Sequence, residues 1–204
     1  MADERERRFL RGELGVDGRP VEEGAEDEES VDRDRARAAL HRDRAWLGRE
    51  MLTWTLWRST AGAPLIEVEG QPVGVLFVGP VVLQGLGGEA TEVATKGARS
   101  AYSDVVRAAL ARGLLVQRAR LRFSLDEQVF EVTVDAEQLA LRSVRLPTLL
   151  TEEEDDQLEE RLFLVDRVAA MVDALWERFV ERRRARNWTS EDVPALLAWI
   201  ADGA

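Results

Sequence analysis

The chain has 204 residues, 45% of them hydrophobic, with no cysteine, one histidine (His41) and a formal net charge of −11. Lack of cysteine excludes disulfides, thiolate metal sites, iron–sulfur clusters and thiol nucleophiles, and a single histidine nearly excludes His-based metal sites and Ser-His-Asp triads. No apolar run reaches the roughly 18 residues of a membrane span, and the N-terminus is too charged for a signal peptide, so a soluble, cytoplasmic protein is expected.

Residues 1–30 are polar and acidic, and 22–29 are nearly all charge. This composition reads as an arm without a core of its own, leaving 31–204 as one folded domain. From about Asp32 to Ser59 the pattern is helical, with Leu40, Leu47, Met51 and Trp54 on one face; Gly62 and Pro64 end it. Three of the six tryptophans (Trp46, Trp54 and Trp57) fall within twelve positions here. Their helical spacing points to core or dimer packing, not to a base-stacking platform.

Strand signals follow. Leu65–Val68 is short, Gly70-Gln71-Pro72 reads as a turn, and Val73–Leu83 is rich in β-branched residues but interrupted by Gly79-Pro80. Glu92–Lys96 is a further candidate strand. Ser100 or Ser103 is placed to cap a helix running to Ala111, with Val105, Val106 and Leu110 as its buried face and Gly113 as its stop. Leu114–Leu125 and Gln128–Val134 alternate as strands around an Asp126-Glu127 hairpin turn, and Leu139–Leu146 is a third strand. Thr151 opens the longest helix, to about Ala185, with acids at its start and arginines at its end, as suits the helix dipole. Its apolar stripe is Leu158, Leu162, Val165, Val168 or Ala169, Val172 and Trp176. A last helix follows Thr189, with Asp192 completing a capping box. Strand hairpins with helices to the side predict an α+β fold: an antiparallel sheet, flanking helices and a long C-terminal helix.

The clearest chemical constellation is Arg118, Arg120 and Arg122. On a strand they form a row at roughly 7 Å spacing, with Ala119, Leu121 and Phe123 turned to the core. Such a ladder suits a phosphate backbone; on the residues alone the commoner case is an exposed strand balanced by Glu131 and other carboxylates next door. Lys96 and Arg99, with Gly97 and Ser100, precede a helix start and form a second candidate anion site. Arg182–Arg184 with Arg186 reads as a solvated helix end. The Glu152–Asp156 run lacks calcium-loop spacing, Gly85–Gly88 lacks the lysine of a phosphate loop, and no carboxylate pair has a catalytic setting. A non-enzymatic protein without metal or cofactor is expected. The net charge of −11 argues against indiscriminate nucleic-acid binding; by segment, residues 1–45 hold 10 basic and 14 acidic groups, 46–150 hold 11 and 11, and 151–204 hold 7 and 14. The acidity sits in the flanks, which repel a phosphate backbone, and the middle is neutral with local basic patches.

From Trp46 onward the order of these segments resembles the recombination-associated protein RdgC family. Leu47-Gly48-Arg49-Glu50-Met51-Leu52-Thr53-Trp54, with Trp57, is similar to its LGxEFLTWLW segment, with Met51 in place of an aromatic. Lys96-Gly97 and the Ser103-led helix are similar to its basic segment and serine-led helix. Gly113–Phe123 is similar to its GKxVxKLxL strand, with Leu114 in place of lysine and Arg118 keeping the basic position. Phe130, Leu141 and Leu146 sit like residues of the next strands, and an acidic stretch and a terminal helix follow. The resemblance covers roughly 46–200, the family's C-terminal portion; the apolar N-terminal domain that opens longer family members is missing from it. It implies sequence-nonspecific binding of double-stranded DNA by a homodimer, a nucleoid location and a recombinase filament as a further partner. The family has also been labelled an exonuclease, for which no metal-binding carboxylate motif is visible here. The implied DNA contacts are Lys96, Arg99, Arg118, Arg120 and Arg122. Trp46, Met51, Trp54, Trp57, Leu162 and Trp176 are then expected in core or dimer packing. The rival reading is a protein-interaction or dimerisation module without DNA binding.

Overall fold

A computed structural model describes residues 47–62, 65–85, 93–94, 100–136 and 138–202. The expected acidic arm, the helix before Leu47, Trp46, His41, Lys96 and Arg99 lie outside these residues. In chain order come α1 (Leu47–Ser59), β1 (Ile66–Val68), β2 (Gln71–Gln84), β3 (Val93–Ala94), a 3-10 turn (Ser100–Tyr102), α2 (Asp104–Ala111), β4 (Leu115–Leu125), β5 (Gln128–Asp135), β6 (Ala140–Arg145), α3 (Glu154–Arg184), a π turn (Trp188–Asp192) and α4 (Val193–Ala201). The strands pair antiparallel in the order β1-β2-β4-β5-β6, and β3 pairs with β2. The fold is α+β.

Local chemistry accounts for most boundaries. β1 and β2 join through Glu69 and Gly70, both at positive φ (52° and 79°), the geometry of a two-residue hairpin turn. The turn thus falls one residue earlier than Gly70-Gln71-Pro72. Gly79-Pro80 does not end a strand: β2 runs through it as a bulge, with register shifting between Phe77 and Val81. Gly79, at φ 77°, supplies the conformation the bulge requires. α2 ends at Gly113 (φ 86°), where the Leu114 amide donates to the Ala109 carbonyl in a Schellman closure. Its buried residues are Val106, Ala109 and Leu110, whereas Val105 is exposed.

α1 is the centre of the molecule. Every residue from Gly48 to Leu56 is buried, because the sheet lies on one side and α3 and α4 on others. Its threonines are hydrogen-bonded: the Thr53 hydroxyl donates to the Arg49 carbonyl at 2.8 Å and accepts from the Val116 amide at 3.0 Å, tying α1 to β4, and the Thr55 hydroxyl donates to the Met51 carbonyl at 2.7 Å. Gly48 is a close-approach residue, since a Cβ there would stand 1.8 Å from the Ala136 carbonyl oxygen. Met51 and Trp54 are core residues of this chain. Trp54, Trp176 and Trp188 converge on Phe179, with ring centroids 5.8–6.0 Å apart. Each aromatic pair is worth about 1 kcal/mol beyond its buried area. Trp57 and Trp176 are partly buried against the same core.

α3 packs through Leu164, Val168, Met171, Val172, Leu175 and Phe179. This face is rotated from the expected stripe and shares only Val168 and Val172 with it. Leu162 is 58% exposed, and Leu158, Phe163 and Val165 are exposed with it; Leu162 is therefore not in the core of this chain. The first half of α3 carries an apolar row that the rest of the described chain does not cover. Before it, Thr151 and Leu150 donate their amides to the Glu160 carboxylate, so α3 is entered through a side-chain clasp and starts at Glu154 instead of Thr151. Asp192 stands at the N-cap of α4 but makes no side-chain capping hydrogen bond; it is buried and ion-paired to Arg182 at 2.6 Å.

Candidate nucleic-acid interface

β4 is where the basic row forms. Ala119, Leu121 and Phe123 are buried under α1, and the alternate residues Arg118, Arg120 and Arg122 share the opposite face. Antiparallel register sets their neighbours, because directly paired residues point to the same side. Arg118 stands opposite Asp135, Arg120 opposite Thr133 and Arg122 opposite both Glu131 and Leu76. One strand further, Glu131 pairs with Arg145 and Thr133 with Arg142. Two residue steps of β5 thus face three of β6, a bulge at Ser143, whose φ is 51°. Without it, Arg142 and Arg145 would alternate to opposite sides; with it both join the arginine face.

Glu131 is the hub. Arg122 donates to its Oε1 through Nη2 at 2.7 Å and Nε at 3.0 Å, Arg120 Nε lies 3.1 Å from Oε2, and Arg145 Nη1 lies 3.7 Å from the same oxygen. The Arg122 hydrogen bonds, aided by the charges of Arg120, Arg122 and Arg145, hold the Glu131 carboxyl below its ordinary value despite partial burial. Arg118 donates to Asp135 Oδ2 from Nε at 3.3 Å and Nη2 at 3.1 Å. The row therefore does lie in ion pairs, as an exposed, balanced strand would have it. The balance is incomplete: among the described residues of β4, β5 and β6, five guanidiniums share this face with two carboxylates. Arg118, Arg122 and Arg145 keep 42%, 44% and 70% of their side chains in solvent, within reach of an external anion. Arg142 and Arg145 escaped the sequence reading because serine at Ser143 is no signal for a left-handed residue.

Other basic residues are engaged in structure. Arg182 pairs with Asp192 and Glu191. Arg183 stacks 5.4 Å over Trp188 and donates to Glu50 at 3.2 Å. Glu50, 2% exposed on α1, has its pKa pushed up to about 7 by burial, partly offset by Arg183. Arg49, also buried, donates to Gln84 at 3.1 Å. These buried charges hold helices to one another and to the sheet and do not present a site. The groove between β1 and α3 is lined by Glu67, Glu177, Glu181 and Arg178, the wrong sign for phosphate. Among the described residues, no three His, Asp or Glu side chains form a metal-binding group, and no helix is long and apolar enough to cross a membrane.

Compared with known protein families and with characterised proteins, the chain has no match. The resemblance to the RdgC family rests on the quoted segments alone.

Proposed function

We propose that this chain is a non-enzymatic, sequence-nonspecific DNA-binding protein that contacts phosphates through the exposed face of β4, β5 and β6. The observation that carries the reading is the gathering of Arg118, Arg120, Arg122, Arg142 and Arg145 on one face of β4, β5 and β6, where Glu131 and Asp135 are the only carboxylates among the described residues of those three strands. Guanidiniums suit phosphate because each presents paired donors in a fixed fork. The face carries no aromatic platform among these paired residues, so contact is to the backbone and not to stacked bases. Residues Lys96 and Arg99 belong to the same reading, as does a role in recombination or replication, both through the family resemblance.

The test is a fluorescence-anisotropy titration of duplex DNA with the full chain. If about three phosphates are neutralised, log K falls with log salt at a slope of about −2.7, so raising salt from about 50 to 200 mM weakens binding about 40-fold. R142Q/R145Q, which alters the two exposed β6 cations and leaves the β4 pairs intact, should weaken binding and flatten the slope. Absence of binding at low micromolar protein in low salt would reject the proposal.

The second reading, self-association, is favoured by the α3 row. Leu158, Leu162 and Val165 follow steps of four and three and so share a helix face, with Phe163 exposed beside them. A row of this kind suits a second copy, through an antiparallel α3–α3 contact related by a twofold axis.

A further inference from the structure

We propose that residues 22–30 of this chain, Glu-Glu-Gly-Ala-Glu-Asp-Glu-Glu-Ser, are an intramolecular occupant of the arginine face and compete there with nucleic acid. The inference rests on the reading of that face as an anion-binding surface. Charge complementarity is its first support. The segment carries six carboxylates in nine residues and no cation, while the described residues of β4, β5 and β6 on this face carry three more guanidiniums than carboxylates.

The place where the chain enters the fold is the second. α1 begins at Leu47, and Gly48 packs against the backbone of Ala136. Ala136 follows Asp135, the partner of Arg118, and its amide donates to the Gln117 carbonyl at 2.7 Å. The N-terminal end of α1 therefore stands at the Arg118 end of the ladder. Sixteen residues, 31–46, separate it from the acidic segment. They span about 24 Å as a helix or about 50 Å extended, whereas Arg118 to Arg122 covers only about 13 Å. The arginines lie on the side of the sheet away from α1, and an extended linker of that length is long enough to pass round the strand ends to them. A tethered ligand acts at a high effective concentration, so contacts too weak to hold a free peptide suffice. Such pairing between exposed charges is screened by salt.

Two measurements on the full chain test this. Because the chain has no cysteine, S30C takes a single nitroxide label. At about 20 mM salt the label should broaden the backbone amide signals of residues 120–122 and 129–133. The broadening should vanish at about 500 mM salt and in the variant E22Q/E23Q/E26Q/D27N/E28Q/E29Q. If the segment is docked nine-tenths of the time, the same neutralised variant should bind duplex DNA about tenfold more tightly than the parent at low salt. Absence of low-salt broadening overturns the proposal, as does an unchanged affinity in a chain that binds DNA. Broadening in a chain that binds no DNA in either form leaves the docking in place and removes the nucleic-acid reading instead.

Discussion

At Glu131 one carboxylate takes contacts from three arginines. Surface ion pairs contribute little individually, about 0–1 kcal/mol, but Glu131 is only 14% exposed and neutralises a crowded row. Replacing it by glutamine should lower stability by about 1 kcal/mol, read by urea denaturation, and should tighten DNA binding, because the row then loses its counter-charge. A loss of both stability and affinity would mean that Glu131 acts by positioning the arginines. Glu50 gives an opposite pH dependence. Its pKa rises from 4.5 to about 7 on folding, so the folded state holds this proton more tightly than the unfolded chain. The stability it contributes is full below about 4.5 and is lost as pH rises through about 7, on the order of 3 kcal/mol in all. Glu131, whose pKa is lowered, contributes stability above its ordinary value and loses it as pH falls. Denaturant midpoints from pH 5 to 8 (ordinary assay conditions) should therefore decline with pH, and E50Q should flatten that slope.

At the scale of elements, α1 is held by contact distance as well as by apolar burial. G48A would drive a methyl into the Ala136 carbonyl, forcing α1 off the β5 end, and should cost about 2 kcal/mol or more in a denaturant melt. The first half of α3 is the contrary case, an apolar row without cover in the described chain. L162E should leave the melting temperature nearly unchanged while shifting the light-scattering mass toward the monomer; a mass that is monomeric already in the parent would remove the self-association reading. These elements also show what could be read ahead of the structure. The β4–β5 hairpin and its arginine row follow from strict alternation and a two-residue turn. The buried face of α3 did not, because two apolar rows run side by side along the helix and only packing against β1 and α1 selects one. The bulges at Gly79-Pro80 and Ser143 are cross-strand events, and no local pattern marks the second.

Across the whole molecule, sign and place of charge matter more than the net value. A chain of net charge −11 can attract phosphate only where cations outnumber anions locally. Sequence by itself determined the α+β class, the two alternating central strands, the long dipole-matched helix and the arginines of β4, because alternation, turn chemistry and terminal charge act over a few residues. Tertiary structure alone decided that α1 is buried on all sides, that Arg49 and Glu50 lie inside, and that Arg142 and Arg145 join the ladder. It also left Leu162 in solvent. Burial and register depend on which distant strands and helices meet, and those contacts are set by the packing of the entire core.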